Sequence, residues 1–338
     1  MKKSLLALAV LGAFAGAAQA QSSVSIYGSF DAGVRHQTNF DAAGGSRLSM
    51  GSTGTFNSNR IGFKGVEDLG GGLNAHFTLE SGFNSGTGAL DAANTLFNRT
   101  AAVGLGGAWG SLDFGRQYTV PFKTIASYDP FGYKYPGIAD AVRASAGTRY
   151  NNDIQYIGTF GPVTVRAEWA LGEVAGDTGR GSAKSIGGTY AAGPLSVGAA
   201  VNQRTDAVTD LDTDYWTVGA GYKFGPARVS AGYVNQEAET AAADLKTRWT
   251  WIGLNYAITP AVEVTGAFYK TKISGAATGD KDNFMLAATY ALSKRTNLYA
   301  GFDTAKYDGA ARVPAAGLGN TGGLSRQRGI SLGVNHLF

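Results

Sequence analysis

From Val24 onward the chain alternates. Val24, Ile26, Gly28, Phe30, Ala32 and Val34 share one parity, and Ser25, Tyr27, Ser29, Asp31 and Arg35 share the other. That period of two marks a strand with one apolar and one polar face. The pattern returns at 73–80, where Leu73, Ala75, Phe77 and Leu79 oppose Asn74, His76, Thr78 and Glu80, and at 163–171, where Val163, Val165, Ala167 and Trp169 oppose Thr164, Arg166 and Glu168. It recurs through 195–201, 216–224, 262–268, 284–292, 298–302 and 330–338. Sixteen such segments can be counted; those beginning near Arg60, Phe97 and Arg248 are ambiguous in face.

The connections alternate as well. Tight ones carry Gly70-Gly71-Gly72, Gly106-Gly107, Gly161-Pro162, Gly193-Pro194, Gly225-Pro226, Thr259-Pro260 and Ser293-Lys294-Arg295. Long polar ones occupy 36–58, 83–96, 117–148, 173–183, 204–213, 236–246, 272–281 and 307–324. Seven short turns and eight long loops require sixteen antiparallel strands with both ends of the chain on the short-turn side. The expected fold is all-β: a sixteen-stranded antiparallel transmembrane β-barrel. A soluble sandwich alternates too, but it hides its large residues between two sheets. Here Tyr27, Trp169, Tyr190, Tyr222, Phe224, Tyr233, Tyr256, Tyr290 and Phe338 fall near strand ends, as in the aromatic girdles of a membrane barrel.

One stretch breaks the rhythm. Between the alternating 111–116 and 149–156, the segment 117–148 holds Pro121, Pro130 and Pro136, several aromatics, and Lys123, Asp129, Lys134, Asp140 and Arg143. Connections of this length are uncommon unless functional or disordered, and the aromatic content argues against disorder. The expectation is that this third long loop folds into the lumen and narrows a pore.

Composition sharpens the picture. Residues 1–20, with Lys2 and Lys3, an apolar run and Ala18-Gln19-Ala20, form a secretory signal, leaving 21–338 as the barrel domain. Of 29 basic and 25 acidic residues, two basic ones lie in that leader, so the remainder is nearly balanced and implies no nucleic-acid partner. No later apolar run reaches the roughly 20 residues of a membrane helix. With no cysteine, disulfides and thiolate chemistry are excluded.

The segments SSVSIYGSFDAGV, NRIGFKGVEDLGGGL, GSLDFGRQ and ISLGVNHLF, spread across the whole exported chain, resemble the trimeric general porins of Gram-negative outer membranes, especially their beta-proteobacterial branch. The resemblance implies a homotrimer embedded in outer-membrane lipid and lipopolysaccharide. It also implies a terminal Phe338 read by the barrel-assembly machinery. Arg60, Arg99 and Arg149 match positions where the family clusters arginines on the wall opposite the third loop, with Arg116 and Lys64 as supporting charges. The loop adds Lys123 and Lys134. Its acids are Asp129 and Asp140, and Asp129, mid-loop beside Pro130, is the preferred candidate to face the arginines.

Other chemistry is weak. His36, His76 and His336 have no recognisable serine and carboxylate partners, so no enzyme is expected. The glycine-rich 317–322 lacks a following helix pattern, and Asp210, Asp212 and Asp214 lack the glycine and glutamate of a calcium loop. Neither cofactor nor metal is expected. The function expected is passive diffusion of small anions and hydrophilic solutes; the alternative is an adhesin or receptor acting through external loops.

Overall fold

The computed structural model describes residues 23–50, 54–135, 147–314, 318 and 320–338. The expected leader at 1–20 lies outside them, as does Asp140. The first half of the chain forms β1 (Ser23–Gln37), β2 (Arg47–Met50), β3 (Arg60–Gly70), β4 (Leu73–Gly82), β5 (Thr100–Gly107), β6 (Gly110–Tyr118), the helix α1 (Val120–Ile125), β7 (Arg149–Phe160) and β8 (Val163–Ala170). The second half forms β9 (Ala183–Ala192), β10 (Leu195–Thr205), β11 (Asp212–Phe224), β12 (Ala227–Ala238), β13 (Leu245–Thr259), β14 (Val262–Gly275), β15 (Gly279–Ala291), β16 (Thr296–Gly309) and β17 (Arg326–Leu337).

Sixteen long strands close on themselves. From β3 onward each pairs antiparallel with the next. The seam is shut by β1, which pairs with β17 from Ser29↔Leu337 to Gln37↔Gly329 and with β3 from Ser23↔Val66 to Ser29↔Arg60. The four-residue β2 merely extends the partnering of the upper end of β1. Closure satisfies backbone groups without leaving an edge, which hydrocarbon demands. The seven tight turns lie where expected. Among the long connections only 276–278 separates β14 from β15, because both strands extend beyond the span expected for that loop.

Outward positions are large and apolar: Ile26, Val103, Leu105, Ile186, Val218, Ile252, Phe268, Leu286, Ile330 and Leu332 are all exposed. Inward positions include the buried Ser29, Asp31, Gln155, Thr217, Ser331 and Asn335. Trp169, Tyr190, Tyr222, Phe224, Tyr256, Tyr290 and Phe338 are exposed near strand ends. Tyr27 departs from this set: it faces inward and donates its hydroxyl to Glu80 at 3.1 Å. At the seam, Phe338 and Gly28 exchange backbone hydrogen bonds, and the Phe338 ring fills the space a side chain at Gly28 would need. Gly333 shares its parity with buried Ser331 and Asn335 and lies under the Tyr299 hydroxyl.

The main apolar core lies inside the barrel. Tyr215, Val234, Trp249, Trp251, Ala267, Tyr269, Met285, Ala287 and Tyr299 from the β11–β16 wall pack on Ile125, Tyr128, Phe131 and Tyr135 of the third loop, with Phe56 from the first. This explains the ambiguous face near Arg248: Trp249 and Trp251 point inward at a loop while Ile252 points at the exterior, so both faces are apolar.

Candidate pore constriction

The third loop starts with a capped turn. Thr119 accepts from the Phe122 amide at 3.3 Å and Pro121 occupies the first turn, where its missing N–H costs nothing. The amide of Val120 donates to Glu168 on β8 at 3.0 Å. Beyond α1, polar contacts fasten the chain to the opposite wall. Tyr128 meets Thr217 at 2.7 Å, Arg228 donates to the Ser127 carbonyl at 2.5 Å, Asn255 to that of Pro130 at 2.9 Å, and Trp251 to that of Tyr128 at 3.4 Å. Side chains of this size contribute about 1.5–3 kcal/mol each when fully buried, so the loop is held as a fixed part of the lumen.

Asp129 belongs to this fastening. Its buried carboxylate accepts from the Tyr133 amide at 2.7 Å and the Tyr269 hydroxyl at 2.8 Å, and burial pushes its pKa up. It shapes the turn in which Gly132, Tyr133 and Tyr135 all adopt positive φ, of 56°, 61° and 72°. Two of these are not glycine, a conformation that persists only where surrounding contacts impose it. The first loop is tied in similarly: Asp31 accepts from the amides of Thr55 and Phe56 and from the Tyr299 hydroxyl, and Phe56 accepts from the Tyr135 amide at 2.8 Å.

A cavity of about 710 Å³ lies between the loop and the β1–β7 side. It is lined by Arg60, Arg99, Arg149 and Lys134, by Glu80 and Asp91, and by Tyr27, Tyr118, Phe122 and Tyr133. Among the described residues, four cations face two carboxylates. The acid in contact with the arginines comes from the wall: Glu80 on β4 pairs with Arg99 at 2.6 Å and Arg60 at 3.5 Å. Arg99 stands one residue before β5, so strand parity does not direct its side chain. Its Nη2 donates to the Tyr118 hydroxyl at 2.6 Å, and Arg149 donates to the same oxygen at 2.5 Å.

Of the other sequence candidates, Lys134 is on the cavity lining while Arg116, Lys123 and Lys64 are not. Arg116 donates to the Asn98 carbonyl and the Asn151 side chain, both at 2.6 Å, beside a bulge in which Asn152 takes φ 52°. That bulge adds a residue to β7, so Arg149 does not share a simple parity with Asp153 and Gln155. Lys123 turns to Gln155 and Gln117, near Asp113, Glu168 and Asp153, and burial lowers its pKa. Lys134 lies 4.8 Å above the Phe56 ring, and burial lowers its pKa too. Lys64 sits 5.5 Å from the centre of the Tyr27 ring. Sequence reasoning missed Glu80 and Tyr118, although Glu80 lies on the polar parity of a well-patterned strand.

A closed antiparallel barrel, apolar outside and partly filled by its own loop, is a transmembrane β-barrel of the outer-membrane kind. Residues 7–310 match the Gram-negative porin family, and the chain belongs to it. The outer membrane porin protein 32 of Delftia acidovorans is 35% identical over 359 residues, with 100% of each chain covered. An outer membrane porin protein of Bordetella pertussis is 43% identical over 171 residues, a match spanning 46% of this chain and 44% of that protein. Among solved structures, an anion-selective porin from Comamonas acidovorans superposes with a TM-score of 0.80 at 28% identity, covering 94% of this chain and all of the other. The protein is thus an integral outer-membrane porin.

Proposed function

We propose that the cavity beside the third loop is the narrowest part of a permanent aqueous path for ions and small hydrophilic solutes, and that the path prefers anions. The observation carrying this reading is the lining itself: Arg60, Arg99, Arg149 and Lys134 against Glu80 and Asp91. Rings of arginine and lysine select anions, and low-dielectric walls focus the local field so that it outweighs the balanced charge of the whole chain. The anion-selective porin of similar fold supports the same reading.

The working form is a homotrimer in outer-membrane lipid and lipopolysaccharide, exported by cleavage after Ala20 and inserted by the barrel-assembly machinery through its terminal Phe338. The family resemblance supports the trimer, and Ala32 leaves a low outer surface between Phe30 and Val34 for a neighbouring barrel. Cross-linking that stops at monomer or dimer contradicts it. The test of the pore is single-channel recording in planar bilayers. Stable ohmic openings are expected, whereas a folded barrel without them contradicts the reading.

A further inference from the structure

The wall of the cavity facing the arginines is aromatic and ordered. Tyr118, Phe122 and Tyr133 form a column with ring centres 4.5 and 4.0 Å apart and planes within 10° and 11° of parallel. The Arg149 guanidinium caps it, 4.1 Å above the Tyr118 ring. Both faces of the middle ring, Phe122, are covered by its neighbours, so what it offers to the cavity is its edge. All three rings line the same space as Arg60 and Arg99. The column is built rather than incidental: Asp129 holds the Tyr133 amide, the Tyr133 hydroxyl donates to the Phe122 carbonyl at 3.3 Å, and the turn carrying Tyr133 is left-handed.

A second feature points the same way. The Tyr118 oxygen receives N–H groups from both Arg99 and Arg149. A hydroxyl offers two acceptor positions and one proton, so among the described residues Tyr118 has its proton left to give.

We infer that this cavity is a recognition site for planar aromatic monocarboxylates, an inference resting on the reading of the cavity as the narrowest part of an anion path. The carboxylate takes charge-assisted hydrogen bonds from Arg60 and the Arg99–Arg149 pair together with the Tyr118 hydroxyl. The ring lays its face against the edges of Phe122 and Tyr133. Ring edges are electropositive and ring faces electronegative, so this edge-to-face contact favours an aromatic solute over a saturated one of equal charge and similar bulk.

The experiment compares benzoate with cyclohexanecarboxylate as inhibitors of chloride current through the full-length channel in planar bilayers. An aromatic pair is worth about twofold to tenfold in affinity beyond area burial, so half-inhibition by benzoate is expected at about one-half or less of the cyclohexanecarboxylate concentration. In Phe122→Leu and Tyr133→Leu, each first shown to fold by its heat-modifiable gel mobility, the two anions should become equal within about 1.5-fold. Equal inhibition of the wild type, or a benzoate preference that survives both substitutions, overturns the inference. The potassium chloride zero-current potential of the same wild-type channels separates the two readings. A cation-selective sign sinks the anion path itself, while an anion-selective sign with no benzoate preference sinks only the aromatic site.

Discussion

Replacing Glu80 by glutamine removes the one carboxylate that, among the described residues, touches the arginine group, and leaves its shape nearly intact. Glutamine keeps an oxygen to accept from Arg99 where Oε1 does so now at 2.6 Å, and its NH2 group replaces Oε2, so the Tyr27 hydroxyl that now donates there at 3.1 Å turns to accept instead. Among the described residues, the cavity lining then carries four cations against Asp91 alone. A unit charge about 6 Å from a permeating ion changes its energy by about 0.7 kcal/mol at the dielectric constant of water. The change has opposite sign for chloride and potassium, so their permeability ratio shifts by about tenfold before screening. With a Debye length of about 10 Å at 0.1 M salt, about threefold remains, and near 1 M it fades. The zero-current potential of Glu80→Gln across a potassium chloride gradient should therefore move further in the anion-selective direction at low salt. An unchanged potential, or one displaced toward cations, refutes the placement of Glu80 in the conducting path.

Other outcomes follow from the same geometry. Arg60→Ser, Arg99→Ser and Arg149→Ser should each displace the potential toward cations, and a triple variant that matches the wild type contradicts their lining role. Asp129→Ala leaves the Tyr133 amide and the Tyr269 hydroxyl without their acceptor, at a cost of about 1–3 kcal/mol for each group stranded in the interior. Its heat-modified gel transition should come at lower temperature than that of the wild type, and an unchanged midpoint counts against the fastening role. Burial lowers the Lys134 pKa, so its charge disappears at less alkaline pH than that of a free lysine. Anion preference should thus begin to weaken at a pH below the ordinary lysine range, and Lys134→Met should remove that part of the pH response.

The barrel was legible because its alternation is an outward constraint: hydrocarbon requires apolar residues at every second position, and Ile26, Val103, Ile186 and Ile330 obey it. The turns were legible from glycine and proline. The inner face was less so. Polar residues there need only suit water or one another, whereas β13 and β14 present Trp249, Trp251 and Tyr269 to a loop distant in sequence, which no local pattern announces. The same limit governs the charged group. Arg60, Arg99 and Arg149 were found by resemblance, but Arg99 lies outside its strand and Arg149 follows a loop and precedes a bulge, so alternation could place neither. The loop acid Asp129 was the natural choice to face them by position. Its actual partners, the Tyr133 amide and the Tyr269 hydroxyl, are set by the packing of the loop against the wall, and Glu80 stands beside the arginines instead.

The natural chain has no cysteine, so a single introduced thiol reports on one position. Ala126 is exposed, carries no charge and lines the cavity beside the third loop. In Ala126→Cys channels recorded one at a time, a small negatively charged methanethiosulfonate should lower the conductance in a discrete, thiol-reversible step and move the zero-current potential toward cations. A channel shown to be labelled, yet with unaltered conductance and potential, would place the conducting path elsewhere in the barrel.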